Sequence, residues 1–237
     1  MLENFVSNAK KFGFELEESV VEKFQLYMEA LLYWNQKINL TAITSPKEIA
    51  IKHFLDSLTL SKYLNFDAHK RVIDVGTGAG FPGIPLKIFF PKLSLTLLDK
   101  LNKRLIFLNN LLKRLNLKAD IWHLRAEEGG QKPELREKFD IAISRAVAKL
   151  PILAEYCIPY IKIGGIFAAM KGPDAAKEIS EANHIIDLLG GKIENIENFS
   201  LPDGSHRMII LIRKIKKTSE NYPRKIATIK KALLKLK

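Results

Sequence analysis

One twelve-residue segment, residues 72–83, constrains the fold of this chain most. It reads VIDVGTGAGFPG, a short β-type run that leads into a cluster of glycines. Glycines between a strand and a helix let a ligand approach the backbone, and the helix N-terminus then faces that ligand. The next apolar run ends at Asp99, and an acid near this separation from Gly76 can accept hydrogen bonds from a ribose. The segment therefore predicts a nucleotide-like ligand on an α/β sheet.

Strand and helix patterns alternate after this point. Strands are predicted at residues 71–75, 93–98, 119–124, 139–144, 164–170, 192–199 and 207–213. Helical patterns at residues 86–90, 102–117, 153–161 and 173–189 lie between them. This alternation predicts a mostly parallel seven-stranded sheet with helices on both faces, an α/β architecture of the Rossmann-like kind. The short turn at residues 201–205 makes the last two strands antiparallel neighbours.

The first 65 residues have a different, helical pattern. Apolar residues recur at helical spacing through residues 17–34, and Pro46 is typical of a first helical position, with Ser45 as its cap. We predict three parts: an N-terminal helical extension packed on the core (residues 1–65), the sheet domain (66–217) and a basic C-terminal tail (218–237).

The distribution of charge indicates a polyanionic partner. The chain carries 38 basic and 26 acidic residues, a net charge of +12, and residues 213–237 hold ten of the basic and one of the acidic ones. Nucleic acid is favoured over an anionic membrane, although a tail that only aids solubility is the alternative. Apolar runs are short, a secretory signal is not seen, and the single cysteine, Cys157, suits a reducing compartment. These features predict a cytoplasmic protein without a membrane span.

Asp74, just before the glycines, bears on which ligand binds. A nearby carboxylate repels the pyrophosphate of NAD but favours the sulfonium and ammonium groups of S-adenosylmethionine. The segment therefore favours S-adenosylmethionine, while NAD and a tight turn without a ligand stay as alternatives. The residues predicted to bind this cofactor are Asp74, Gly76, Gly78, Gly80 and Asp99.

The loops after the third and fourth strands add candidates. Ala126 and Glu127 follow the third strand and can meet an adenine edge, or they can belong to a solvated loop. Arg145 directly follows the fourth strand, and the carboxyl ends of parallel strands form the ligand crevice of open α/β sheets. Arg145 is therefore expected to face the site.

The reactive residue types in the chain limit which methyl acceptors are possible. The loop after the fourth strand has no proline, and methyl transfer to an exocyclic amine usually requires prolines there. Methylation of a pyrimidine carbon needs a cysteine nucleophile, but Cys157 lies in an apolar helix without a neighbouring base. Guanine N7 has a free lone pair and no proton to remove, so it needs neither device. The five histidines do not pair at metal-ligand spacing, and we expect no metal site; His53, beside Asp56 on one helix, is the histidine of interest.

The chain resembles the bacterial 16S rRNA guanine-N7 methyltransferases, also called glucose-inhibited division protein B. The resemblance spans nearly the whole chain. Its motifs are WNQKINLTAIT (34–44), KHFLDSL (52–58), DVGTGAGFPGIPLKI (74–88), LLDKLNKRLIFL (97–108), RAEE (125–128), SRAVAKL (144–150), MKG (170–172) and YPRK (222–225). The residues after YPRK depart from the family pattern.

This resemblance implies a class I methyltransferase that transfers a methyl group from S-adenosylmethionine to N7 of one guanine in the decoding-region loop of 16S rRNA. It implies that Gly76, Phe81, Ala126, Glu127 and Arg145 line the cofactor site, and that Asn39, His53, Arg145 and Lys171 lie on the substrate side. The expected partner is 16S rRNA, in the small subunit or an assembly intermediate, and the protein is expected to be a monomer. An NAD-dependent oxidoreductase and a non-catalytic RNA-binding assembly factor are the alternatives.

Overall fold

The computed structural model of the chain describes residues 2–66 and 69–234. Its seven strands form one sheet in the order β3-β2-β1-β4-β5-β7-β6. The strands are β1 (Arg71–Val75), β2 (Ser94–Asp99), β3 (Asp120–His123), β4 (Phe139–Arg145), β5 (Ile161–Lys171), β6 (Gly191–Ser200) and β7 (His206–Lys214). The first five pair in parallel, whereas β7 runs antiparallel to both β5 and β6. The predicted mostly parallel α/β sheet is confirmed.

Helices alternate with the strands and also precede them. They are α1 (Glu3–Lys11), α2 (Glu18–Ile38), α3 (Pro46–Ile49), α4 (Asp56–Leu58), α5 (Gly83–Phe89), α6 (Asn102–Arg114), α7 (Ala126–Gly129), α8 (Leu150–Cys157), α9 (Ala176–Leu188) and α10 (Ile226–Leu234). None of those within the described ranges is long and apolar enough to cross a membrane.

The sheet separates two hydrophobic clusters. On β1, Val72 belongs to one cluster and Ile73 to the other, as the alternation of side chains along a strand requires. Buried residues of α1, α2, α5 and α6 share the cluster of Val72, and buried residues of α8 and α9 share that of Ile73. The helices before β1 are therefore continuous with the core of the sheet. The three-part division of the chain stays a prediction.

The helix predicted to start at Ser45 is less regular than expected. Helix α3 begins at Pro46, but the Ser45 side chain makes no capping hydrogen bond. The helix then continues as a π-helical segment, Ala50–Leu55, before α4. This wider turn contains His53, so a histidine assigned from sequence to a regular helix lies in a π-helical segment.

Some predicted bounds are wrong at the junction of α8 and β5. The helical pattern through residue 161 ends at Cys157 and is followed by a 3₁₀ turn, Ile158–Tyr160. Strand β5 begins at Ile161, three residues before its predicted start. Pro159 lacks the N–H group that would continue the helix, which explains why an apolar run changes from helix to strand here.

The segment that follows β7 is attached to the core. The Arg136 guanidinium donates hydrogen bonds to the carbonyl oxygens of Thr218, Ser219 and Tyr222 at 2.7–3.0 Å. Ile229 of α10 is 1% exposed. The first part of the predicted basic tail, residues 218–229, is therefore packed against the core, and we call it the strap. Residues 235–237 of the tail, like Met1 of the N-terminal extension, lie outside the described residues.

An ion pair anchors this strap. Glu155 of α8 is fully buried, and its two carboxylate oxygens accept hydrogen bonds from the backbone N–H and the guanidinium of Arg224 at 2.7–2.8 Å. An unpaired buried carboxylate would be costly, so Arg224 and Glu155 stabilise the strap only as a pair.

Candidate functional site

A cavity of about 1110 Å³ opens at the carboxyl ends of the parallel strands. It lies where ligands bind in open α/β sheets, beside the loops that follow β1, β2, β3 and β4. Most of the site residues predicted from sequence line it: His53, Gly76, Gly78, Phe81, Asp99, Ala126, Glu127, Arg145 and Lys171. Asn39, Asp74 and Gly80 do not line it.

The glycine loop provides open space on this cavity. Gly78 has φ +62°, and a Cβ atom placed on it would meet no heavy atom closer than 4.0 Å. A side chain there would project into space that a ligand can otherwise occupy. Gly76 has a different role, because a Cβ on it would lie 2.6 Å from Val147 Cγ2. Its missing side chain lets the loop after β4 approach the loop after β1.

Asp99 is fixed as an acceptor at the end of β2. Its Oδ2 accepts from the Gly78 N–H at 2.9 Å and from Arg104 Nη1 at 3.2 Å, and its Oδ1 accepts from the Leu101 N–H at 2.9 Å. A carboxylate has about four acceptor directions, so these bonds orient it and leave Oδ1 able to accept once more. The side chain is 3% exposed yet lines the cavity, which suits it to one hydroxyl donor.

Asp74 lies behind the glycine loop. It is fully buried, and its Oδ2 accepts from Thr77 Oγ1 at 2.7 Å and from the Gly83 N–H at 2.9 Å. Its Oδ1 has no hydrogen-bond partner among the described residues. Burial raises the pKa of this carboxyl to about 7. Asp74, which is predicted to bind the cofactor, does not line the cavity and braces the glycine loop from behind. A neutral carboxyl suits its unpaired oxygen.

Tyr27, which sequence reasoning missed, closes the loop from the other side. Its hydroxyl donates to the Ala79 carbonyl oxygen at 2.5 Å. A Cβ on Gly80 would lie 2.8 Å from that hydroxyl, so this glycine is required for packing rather than for ligand access. Phe81 stacks between Tyr27 and His53, with ring centroids 5.2 and 4.4 Å away. The N-terminal helices thus form one wall of the site.

Arg145 reaches across the cavity floor to that wall. Its Nη1 donates to Asp56 Oδ2 at 2.8 Å and to the Lys52 carbonyl oxygen at 3.0 Å, and its Nη2 lies 3.1 Å from His53 Nδ1. Asp56 also accepts from Arg207 Nε at 3.1 Å. The guanidinium is thereby held in one orientation while it lines the cavity. Asp56 follows His53 by three residues on the same helical stretch, a spacing that could have indicated a shared partner.

His53 is neutral in this environment. Burial, reinforced by the Arg145 guanidinium, lowers the pKa of its imidazole to about 3. A guanidinium can only donate, so Nδ1 is the acceptor and the ring proton is on Nε2. That nitrogen lies 2.9 Å from the hydroxyl oxygen of Thr41, another residue that sequence reasoning did not select.

Lys171 is not a free cation. Its ammonium lies 2.7 Å from Glu178 Oε2 and donates to the Ala148 carbonyl oxygen at 3.0 Å. The same Glu178 oxygen accepts from the Leu150 N–H at 2.6 Å. The pair therefore holds the loop after β4, and the ammonium of this residue, which is expected on the substrate side, is already paired.

Of the remaining candidates, Ala126 and Glu127 line the cavity and Asn39 does not. Asn39 is exposed and ends α2 with φ +46°, so its position reflects a helix terminus. Ala126 and Glu127 begin α7 on the cavity wall, and Tyr160 Oη donates to the Ala126 carbonyl oxygen at 2.7 Å. Ile226 of α10 joins the lining, a contact from the tail that the sequence did not indicate. Within residues 2–66 and 69–234, no group of three His, Cys, Asp or Glu residues could hold a metal ion.

Sequence comparison finds close relatives over almost the whole chain. The family model GidB, described as rRNA small subunit methyltransferase G, matches residues 20–209. A protein of Desulforamulus reducens named ribosomal RNA small subunit methyltransferase G is 50% identical over 221 residues, which cover 92% of this chain and 91% of that protein. The protein of the same name from Bacillus subtilis is 45% identical over 98% of both chains.

Solved structures share the fold at low sequence identity. A SAM-dependent O-methyltransferase from Thermotoga maritima has a TM-score of 0.52 and 16% identity, covering 80% of this chain and 73% of its own. TYW2 of M. jannaschii, solved in complex with AdoMet, has a TM-score of 0.51 and 16% identity over 68% of this chain and 77% of its own. At such identities the likeness establishes a Rossmann-like fold.

Proposed function

Because this chain belongs to the GidB family, rRNA small subunit methyltransferase G, we propose that it transfers a methyl group from S-adenosylmethionine to N7 of one guanine in the decoding-region loop of 16S rRNA. Family membership makes it an S-adenosylmethionine-dependent rRNA methyltransferase and sets aside the alternative of an NAD-dependent oxidoreductase. We propose the position that is methylated and the roles of individual residues.

The residues present fit the cofactor. The observation that carries the proposal is the open space at Gly78, beside the oriented carboxylate of Asp99. A Cβ atom placed on Gly78 would have no heavy atom closer than 4.0 Å. Gly76 and Gly78 would receive the methionine part, Asp99 a ribose hydroxyl, and Ala126 and Glu127 the adenine edge. When bound, S-adenosylmethionine supplies a methyl group on a positively charged sulfur.

The reaction at guanine N7 needs orientation and no base. Guanine N7 attacks through its own lone pair, so the enzyme contributes proximity and alignment. Arg145 is held by Asp56 and the Lys52 carbonyl on the substrate side, and His53 beside it stays neutral. A neutral imidazole suits this place, because the guanine becomes cationic as the methyl group arrives. We assign Arg145 to orientation of the guanine or the cofactor.

The partner, the oligomeric state and the compartment belong to the same proposal. The partner is 16S rRNA in the small subunit or an assembly intermediate, and the net charge of +12 supports binding to this polyanion. We propose that the protein acts as a monomer in the cytoplasm, where this substrate is found, and without a metal. Light scattering of the purified chain, alone and with 16S rRNA, tests the monomer.

The test of the reaction is direct. The purified chain is incubated with methyl-labelled S-adenosylmethionine and small subunits that lack the modification, and the digested rRNA is analysed by mass spectrometry. The expected product is one 7-methylguanosine per 16S rRNA. Label on another base atom or in another RNA contradicts the proposal, and binding without any transfer favours the non-catalytic assembly factor.

A further inference from the structure

Hydrogen bonds from neighbouring residues hold both the backbone and the side chain of Thr41 in place. The Thr41 backbone is held at both ends by one side chain, since the Asn35 carboxamide accepts from the Thr41 N–H and donates to the Thr41 carbonyl, each at 2.9 Å. Its Oγ1 accepts a further bond from the Ile43 N–H at 3.0 Å. Thr41 lies on the cavity wall with its side chain partly exposed.

The direction of the hydrogen bonds from Arg145 through His53 to Thr41 decides whether this hydroxyl can donate or accept. Asp56 and the Lys52 carbonyl fix the Arg145 guanidinium, which donates to His53 Nδ1. The proton on His53 Nε2 is therefore donated to Thr41 Oγ1. Together with the Ile43 N–H, this fills both lone pairs of the hydroxyl oxygen. No acceptor among the described residues takes the hydroxyl's own proton, so the group is free to act as a donor only.

The position of Thr41 favours the substrate over the cofactor. Through His53 it is tied to Arg145 at the carboxyl end of β4, whereas Asp99 lies at the end of β2, on the other side of β1. The base that receives the methyl group must approach the reactive end of the cofactor, away from its ribose. Guanine presents an acceptor, O6, next to N7, while adenine presents an amino donor at the same place.

Building on the proposed function, we propose that the Thr41 hydroxyl donates a hydrogen bond to O6 of the target guanine and so selects guanine over adenine. The bond leaves N7 free to attack. Because both lone pairs of Thr41 Oγ1 are occupied, the hydroxyl cannot turn to accept a bond from an adenine amino group. A site built with a fixed donor rejects a base that lacks the matching acceptor, since the donor is then left unpaired.

The experiment removes the hydrogen bond from each side in turn. Two 16S rRNAs are compared, one with guanine and one with 2-aminopurine, which keeps N7 but lacks O6, at the methylated position. The wild-type chain should show a kcat/KM about tenfold lower on 2-aminopurine, the scale of one hydrogen bond. For Thr41→Val we expect a similar loss on guanine and less than a twofold difference between the two RNAs. Thr41→Ser should keep the preference of the wild type.

Thr44→Val is the matched control, because Thr44 is exposed on the same loop and does not line the cavity. A structural defect in Thr41→Val would lower activity on both RNAs equally and keep the wild-type ratio, which overturns the proposal. A wild-type chain that methylates both RNAs equally overturns it without any variant. A tenfold weaker binding of S-adenosylmethionine to Thr41→Val, measured by calorimetry, would assign the donor to the cofactor instead. A wild-type chain with no activity on guanine N7 refutes the proposed function itself.

Discussion

Asp56 and Arg145, which lie 89 positions apart, meet in an ion pair with Asp56 Oδ2 2.8 Å from Arg145 Nη1. Their side chains are only 3% and 14% exposed. The pair joins the helical N-terminal region to the end of β4, and the carboxylate also binds Arg207 of β7. Three distant parts of the chain thus determine where one guanidinium points.

Arg145→Ala should lower methylation by about 100-fold, because misaligned reactants lose much of the advantage of proximity. It should also destabilise the fold by about 2 kcal/mol, since Asp56 loses a charged donor and keeps Arg207. Single-turnover methylation and thermal unfolding measure the two effects. Arg114→Ala, which breaks an exposed pair with Glu29, is the control and should change neither much. Near wild-type turnover in folded Arg145→Ala would remove Arg145 from the reaction.

The rate of the chemical step should not depend on pH between pH 6 and 8. Guanine N7 has no proton to lose, and His53, with a pKa of about 3, stays neutral throughout this range. Single-turnover rates across the range provide the measurement. A tenfold rise per pH unit that disappears in His53→Ala would show that His53 acts as a base after all.

Gly78→Val should abolish binding of S-adenosylmethionine. The new side chain would enter the open space beside the glycine loop, and φ +62° disfavours a branched residue. Gly13→Val is a matched control, because Gly13 also has a positive φ and open space around it but does not line the cavity. Calorimetry on both folded variants measures the affinity. Unchanged affinity in Gly78→Val would contradict the placement of the cofactor.

The free energy of unfolding of Asp74→Asn should increase relative to that of the wild type as pH rises. The pKa of Asp74 is raised to about 7, so between pH 4 and 7 the native state holds a proton that the unfolded chain has lost. The contribution of Asp74 to the free energy of unfolding therefore falls as pH rises through this range. Relative to the wild type, the variant should gain about 2 kcal/mol between pH 5 and 7.

Denaturant unfolding at each pH tests this gain, and Asp140→Asn provides its control. Lys162 and the Arg71 N–H help to lower the pKa of Asp140, so that carboxyl is ionised in both states above pH 5. Its variant should show a constant difference from the wild type over the same range. A constant difference for Asp74→Asn as well would mean that Asp74 is ionised in the native protein.

The basic C-terminal segment should add affinity for rRNA. Truncation from Tyr222 would also remove Arg224 from buried Glu155 and Ile226 from the cavity wall, so neutralising exposed lysines is the cleaner change. In the double variant Lys225→Gln and Lys231→Gln, binding should weaken, and the slope of log K against log salt should flatten by about one to two. Lys10→Gln with Lys11→Gln, on exposed α1 positions, is the control. An unaltered slope in the tail variant would make this segment a bystander.

The elements with a strong local pattern could be predicted from the sequence, and the site only in part. The glycine loop, Asp99 and the loops after β3 and β4 carry their own signals, because glycine spacing and the ends of strands place them at one edge of the sheet. A motif places Asn39 on the substrate side, but this residue follows the end of α2 and does not itself line the cavity, so its role stays a prediction. Lys171 shows the same limit. Its position at the end of β5 follows from the local sequence pattern, but its ion pair with Glu178 depends on the tertiary structure.

By itself, the sequence determined the sheet and the edge at which the cavity opens, because these follow from short-range patterns of apolar residues and glycines. Its motifs, by their similarity to known relatives, determined the family. Only the tertiary structure decided how the polar groups there are paired. Whether Asp74 touches a ligand or braces a loop, and which way the hydrogen bonds from Arg145 to Thr41 run, depends on burial and on partners far away in the chain. Charge and proton positions follow from desolvation and from three-dimensional neighbours, and a linear pattern does not contain either.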